Sequence, residues 1–315
     1  MAASRVRRPG YRRLLVLLLR DDAGRPPDRR CRPRGRGPVC RRRILRPWVH
    51  ARTGDRAARG RGDARRPRAD YRHHGSFPRA LPDGPTAVQG DGAVKVRRSN
   101  LVAGARAATG TAVIIDVYRA FTTAAFCVAA GAREIILVER PEEAFTLKSQ
   151  DGQLFLTGEV GGEPIPGFDA GNSPSAILGF DLSDRRVVQR TSAGTQGVCA
   201  AVAATSIVLA SFVVAAATAR YVASVGEDVT LVAMGEKGAL STHEDEACAA
   251  YLETLLGRGE PVRPGFIEPT WLSERGWPDW FPRRDAELAL EVDRFSFALP
   301  VYRENGLLIA RPVFS

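Results

Sequence analysis

The chain has few of the residues that build cross-links and metal fingers. Its five cysteines, at positions 31, 40, 127, 199 and 248, are odd in number, widely spaced and without a C-x-x-C pair. Its four histidines include no pair at ligand spacing. A disulfide framework and a finger-type zinc site are thereby excluded. Long apolar runs are missing as well. Leu14–Leu19, behind Arg12 and Arg13, falls short of both a signal-peptide core and a membrane span. Arg20-Asp21-Asp22 follows it with no small-residue cleavage site. These absences predict a cytoplasmic protein with no membrane partner.

Lysine is nearly absent too, with three against 43 arginines. Residues 1–80 hold 25 arginines, no lysine and six aspartates, a net charge of +19, whereas the whole 315-residue chain is only +11. The remainder carries 21 basic and 29 acidic side chains, a net of −8. The basic balance belongs to the N-terminal arm alone, which rules out a basic globular DNA-binding domain. Residues 1–85 are rich in Arg, Pro and Gly with no sustained period of 2 or 3.6, so they are expected to be a disordered arm. Three readings stay open for the arm: nucleic-acid binding through phosphates, a solvated tail, or upstream sequence translated from a start codon placed too early. The last fits the GC-rich coding bias that an excess of Arg over Lys implies.

From about Val88 the texture changes, and residues 86–315 are expected to form one catalytic domain. Thr111–Asp116 reads as a buried strand and Ala120–Ala130 as the helix after it. Glu134–Val138 is a second strand, and Pro141 opens a helix to about Lys148. Leu154–Leu156, Arg186–Gln189, Ile207–Leu209 and Val229–Val232 read as further strands. Thr195–Ala204, Val213–Ser224 and Glu244–Leu256 read as helices. The alternation predicts an α/β fold, three-layer α/β/α with a mostly parallel sheet, whose site lies at the carboxyl ends of the strands. The tail from Pro264 differs, being rich in Trp, Pro and Phe. Asn305-Gly306 between Ser296–Tyr302 and Leu307–Pro312 predicts a C-terminal β-hairpin that pairs with the sheet or with another subunit. The apolar tail is compatible with a homodimer.

Four segments carry candidate chemistry. Asp116 closes the first strand, with Arg119, Thr122 and Thr123 behind it, a set that suits Mg²⁺ and an anion together. Helix capping by Asp116 and a surface ion pair for Arg119 are the alternative. Gly158–Pro174, with its glycines, prolines and acids, reads as a functional loop or an ordinary Ω-loop. Glu159, Asp169 and Asn172 there offer metal ligands or water-orienting groups, and Ser173 lies beside them. Thr191–Thr195, with Gly194 before a helix, exposes amides to an anion but is no P-loop. Val232–Glu246 offers Glu236, Glu244 and Asp245 as ligands or bases, although Ser241 with Glu244 also fits a capping box. Lys237 is one of the three lysines, and His243 is a candidate acid or base. Cys127–Arg133 and Cys40–Arg46 match the C-x5-R spacing of cysteine phosphatases by chance, because Cys127 lies inside a helical apolar run rather than at a strand-to-helix turn.

DVYRAFTT at 116–123, GEVGGEPIPGFDAGNSP at 158–174, TSAGT at 191–195, GEKGALSTHEDE at 235–246 and DRFSFALPV at 293–301 together resemble the 2-phosphosulfolactate phosphatase family. The resemblance runs from about residue 95 to the C-terminus. It implies an α/β/α fold and Mg²⁺-dependent hydrolysis of the phosphate monoester of a small sulfonated acid. That reaction serves coenzyme M biosynthesis in methanogens, and members also occur in bacteria that make none. Thr191-Ser192-Ala193 replaces a more usual Thr-Thr-Asn, and Ser296 stands where an acid is common.

For that chemistry, Asp116, Glu159 and Glu236 are the expected metal ligands, and Asp169 or Asp245 would orient the attacking water. Arg119 would act on the phosphoryl group as a catalytic residue. Thr122, Thr123, Asn172, Ser173, Thr191, Gly194 and Thr195 would hold phosphate or sulfonate. A phosphatase of another small phosphorylated acid, and nucleic-acid binding through the arm, are the competing functions.

Overall fold

In the computed structural model, residues 95–257, 260–272 and 276–314 are described. The expected arm over 1–85 lies outside them. The chain begins with β1 (Val96–Asn100) and α1 (Leu101–Ala107). Then come β2 (Thr111–Ile115), α2 (Ala120–Ala129), β3 (Glu134–Leu137) and α3 (Pro141–Gln150). β4 (Phe155–Val160), β5 (Glu163–Pro164), β6 (Ala170–Gly171) and α4 (Pro174–Ile177) follow. The next run is β7 (Arg186–Arg190), α5 (Gly194–Ala200), β8 (Ser206–Ala210), a 3₁₀ turn at Phe212–Val214 and α6 (Ala215–Val225). β9 (Val229–Ala233), α7 (His243–Leu255) and α8 (Arg283–Ala289) precede the closing strands β10 (Phe297–Glu304), β11 (Leu307–Ala310) and β12 (Val313–Phe314).

The strands form one mixed, mostly parallel sheet in the order β1-β9-β2-β8-β10-β11-β3-β7-β4-β5. β2 lies between β8 and β9, parallel to both, and all five of its residues are buried. The β-branched run TAVII suits that position, because a strand covered on both faces needs no polar alternation. Its alternate residues feed two cores. Ala112 and Ile114 pack with α2 and α5, whereas Val113 and Ile115 pack with α6 and α7.

The Asn305-Gly306 hairpin sits in the middle of the sheet. β10 pairs antiparallel with β8, and β11 pairs antiparallel with β3. It thus bridges a β1-β9-β2-β8 half and a β3-β7-β4 half whose strands run in opposite senses. Adjacent strands twist by about 20–25°, so the five steps from β2 to β7 rotate strand direction by roughly 100°. That rotation lets carboxyl ends from both halves converge beside α2, which is buried along nine of its ten residues and shares one core with both halves.

Three details differ from the sequence expectation. The strand read as Leu154–Leu156 runs on to Val160, into the stretch read as loop. Gly158 makes this extension feasible: at φ +151° its backbone approaches β7 so closely that a Cβ would lie 2.0 Å from the Arg190 carbonyl oxygen. The helix read as Thr195–Ala204 ends at Ala200. The Ser241–Glu244 capping box weighed as an alternative is absent, because Thr242 is the N-cap and the Ser241 hydroxyl donates to Glu246 instead.

Candidate active site

A cavity of about 70 Å³ opens where the ends of β2, β4, β7 and β9 meet. Asp116, Glu159, Glu236, Arg119 and Asn172 line it, and Trp271, Trp280 and Phe281 form an aromatic wall. Asp116 directly follows β2. Its Oδ1 accepts from the Ala120 amide at 3.0 Å, and the Gly194 amide at the start of α5 also points to it. A Cβ on Gly194 would come within 2.9 Å of Asp116 Oδ2 and 2.7 Å of the Ala120 Cβ, so only glycine fits there.

Asp245, in the first turn of α7, ties two strand ends together. Its Oδ1 accepts from the Val117 amide at 2.8 Å and its Oδ2 from the Gly235 amide at 2.7 Å. Burial pushes the carboxyl pKa of Asp116 well above the ordinary value, and the charges of Asp245 and Glu159 push the same way against the Ala120 and Gly194 amides. Asp245 is raised by burial and by Glu244, against its two amides. Burial, with smaller contributions from the Asp116 and Glu236 charges, pushes Glu244 up to about 7.

Glu159, at the end of β4, binds the β7–α5 turn. Its Oε2 accepts from the Gly162 amide at 2.6 Å and from Ser192 Oγ at 2.9 Å, and its Oε1 accepts from the Ser192 amide. Ser192, where the family more usually has Thr, thus supplies two of the three hydrogen bonds that hold the Glu159 carboxylate, and Gly162 supplies the third.

Arg119 is almost fully buried. Nη1 donates to Asp285 Oδ2 at 2.8 Å and to the Trp280 carbonyl at 2.6 Å, and the guanidinium lies 4.4 Å from the Phe281 ring centroid. Burial lowers its pKa, and Asp285 counters that. The surface ion pair weighed from sequence is instead a buried one. Asp285 also accepts from Ser173 Oγ at 2.9 Å and the Ser175 amide at 3.0 Å, joining the start of α4 to Arg119.

Several residues picked out by the sequence support the cavity rather than face it. Thr122 Oγ1 donates to the Val117 carbonyl. Thr191 and Thr195 bond each other reciprocally through side chain and backbone, closing the first turn of α5. Ser173 caps α4. Thr123 is buried, with Oγ1 lacking a hydrogen-bond partner. Asp169 accepts from the Leu156 amide and pairs with Lys148 at 3.3 Å, outside the cavity lining. His243 is exposed, and Cys127 is a buried α2 residue whose thiol pKa burial raises.

Sequence reading missed Asp285 and the aromatic wall. The only signal was the Trp- and Phe-rich tail, which carries no spacing that assigns it to a site.

The donor set suits a hard dication bound with water. Asp116, Glu159 and Glu236 offer carboxylate oxygens to it, and Asn172 has a buried Oδ1 without a hydrogen-bond partner among the described residues. Among the described residues no group of three or more His, Cys, Asp or Glu is arranged to enclose a metal.

Fold and site together define an α/β protein with an acidic strand-end cavity closed by a buried arginine. The family model described as 2-phosphosulpholactate phosphatase matches residues 98–267, and the chain belongs to that family. A Deinococcus radiodurans protein named probable 2-phosphosulfolactate phosphatase is 38% identical over 151 residues, which cover 47% of this chain and 63% of that protein. A Bacillus subtilis protein of the same name is 36% identical over 147 residues, 46% of this chain and 63% of its own length. A Thermotoga petrophila protein, also so named, is 34% identical over 162 residues, 50% of this chain and 70% of its own. The chain thus spans just under two thirds of the first two relatives. No helix among the described residues is long and apolar enough to cross a membrane.

Proposed function

We propose that this chain is a Mg²⁺-dependent phosphatase that hydrolyses the phosphate monoester of 2-phosphosulfolactate to sulfolactate and phosphate. The observation that carries the reading is the buried carboxylate group around Asp116, facing the same cavity as the Arg119 guanidinium. The names of its relatives supply the substrate.

Asp116, with Glu159 and Glu236, are the residues that would hold Mg²⁺. When bound, the ion would neutralise phosphoryl charge and polarise water. Arg119 binds the phosphoryl oxygens, its position fixed by Asp285 so that little reorganisation is needed as charge develops. Asn172 lines the cavity, with its buried Oδ1 left without a hydrogen-bond partner among the described residues. Neither of the two carboxylates assigned to water orientation lines the cavity: Asp245 acts on it through its charge on Asp116 and its bonds to the Val117 and Gly235 amides, and Asp169 is paired with Lys148. Trp271, Trp280 and Phe281 limit bulk water on the open side. A cytoplasmic location belongs to the same reading, supported by free thiols at Cys127, Cys199 and Cys248.

The test is phosphate release from 2-phosphosulfolactate by the full chain, assayed beside a panel of other small phosphorylated acids. Release fastest from 2-phosphosulfolactate supports the reading, and preference for another phosphorylated acid replaces the substrate while keeping the chemistry.

A further inference from the structure

The cavity faced by Asp116 opens into a wider surface groove of about 770 Å³, and Gly161, Ser192 and Lys237 belong to the walls of both. Three cations line the groove, Arg106, Arg190 and Lys237, against one acid, Glu139. None of the three is paired with a carboxylate among the described residues. Arg190 is tied only to neutral acceptors: Nε donates to the Glu139 carbonyl at 3.2 Å, and Nη1 donates to the Glu159 carbonyl at 2.7 Å and to Ser192 Oγ at 3.4 Å. Nη2 has no partner among the described residues.

Lys237 stands at the neck between cavity and groove. Its backbone is in the left-handed region at φ +54°, inside a turn closed by the Glu236 amide on the Leu240 carbonyl at 2.7 Å. Of the two cations lining the inner cavity, Arg119 is neutralised by Asp285, which leaves Lys237 as the one without a carboxylate partner.

A lone phosphate facing Asp116 meets Arg119 and has no use for positive charge on the groove side. A ligand with a second anion a few ångströms from the first does. We propose that Lys237 and Arg190 form a subsite for the second acidic group, a carboxylate or sulfonate, of a phosphomonoester whose phosphate faces Asp116 and Arg119. The inference rests on the phosphatase reading and extends it from the reacting phosphate to substrate selection. Arg190 is fixed through the backbone of Glu159, so the subsite is in register with the carboxylates. Arg106, further along the groove, adds field that draws polyanionic ligands to the neck.

The experiment compares 2-phosphosulfolactate with 2-phospholactate, which lacks the sulfonate, on the wild-type full chain, Lys237→Gln and Lys237→Arg. The preference for 2-phosphosulfolactate should fall about tenfold in Lys237→Gln, as expected for one lost charge-assisted contact. The change should appear in KM rather than kcat, and Lys237→Arg should restore it. Calorimetric binding of sulfolactate, with no turnover involved, should weaken by a similar factor in Lys237→Gln. Wild-type release from 2-phosphosulfolactate with an unchanged preference and unchanged sulfolactate affinity in Lys237→Gln overturns the subsite and leaves the phosphatase reading standing. A folded, Mg²⁺-loaded wild type that neither hydrolyses 2-phosphosulfolactate nor binds sulfolactate overturns both.

Discussion

Asp285 holds the Arg119 guanidinium at 2.8 Å although 166 residues separate them, and neither side chain is more than 3% exposed. Asp285 lies beyond the 98–267 stretch that the family model matches, as do Trp271, Trp280 and Phe281. The C-terminal segment therefore completes a site whose carboxylates come from the matched stretch.

Removing Asp285 leaves the Arg119 charge buried and uncompensated, and Ser173 and Ser175 without their shared acceptor. Asp285→Ala should destabilise the protein by about 3–5 kcal/mol, read by urea denaturation. Its phosphate release should fall with Arg119 displaced. A loss below about 1 kcal/mol, the range of a surface pair, would show that the ion pair does not hold the site.

Gly194→Ala puts a methyl group against Asp116 Oδ2 and the Ala120 Cβ. Overpacking of this kind costs about 1–3 kcal/mol, and a displaced Asp116 should lower kcat by about 10²-fold. Thermal denaturation and steady-state kinetics on one preparation check both. Wild-type kcat in the alanine variant would mean that Asp116 tolerates the shift.

Glu244 binds its proton more tightly in the folded than in the unfolded chain, with its pKa moved from 4.5 to about 7. Its contribution therefore favours folding below the unfolded pKa and is lost as pH rises through the folded one. Across that window the loss is on the order of 3 kcal/mol. Asp116 and Asp245 are raised in the same direction. Urea denaturation in EDTA should give lower stability at pH 8 than at pH 5, and Glu244→Gln should remove part of the difference. An identical pH dependence in the variant would contradict this.

Much of the frame was readable from the chain. TAVIID, EIILV and the Asn305-Gly306 pair announce buried strands and a hairpin through β-branched runs and turn chemistry, which are local. The hairpin's place in the middle of the sheet is not local, since pairing depends on which edges meet. Asp116 was legible at the end of a β-branched strand, and Glu159 and Glu236 beside glycines. Asp245 was legible as an acid, but its bonds to the Val117 and Gly235 amides were not. Thr191 and Thr195 read as anion binders because a cap and an anion site need the same hydroxyls. Asp285 was invisible, because the helix that carries it was not read in the Trp-, Pro- and Phe-rich tail and only the fold brings Arg119 to it.

Burial raises Asp116 most, with the Asp245 and Glu159 charges adding to it, and Mg²⁺ should offset that cost of holding the carboxylate ionised. It should increase the thermal midpoint of the wild-type protein at pH 8 in a concentration-dependent way, and do so much less in Asp116→Asn. Equal shifts in both proteins would place the ion elsewhere.

The most direct test is Mg²⁺-dependent phosphate release from 2-phosphosulfolactate by the wild-type full chain and by Asp116→Asn, each with Mg²⁺ and with EDTA. The expected result is release by the wild type with Mg²⁺, none with EDTA, and almost none from a folded Asp116→Asn. Undiminished release by Asp116→Asn, or none from folded, Mg²⁺-loaded wild type, would contradict the account.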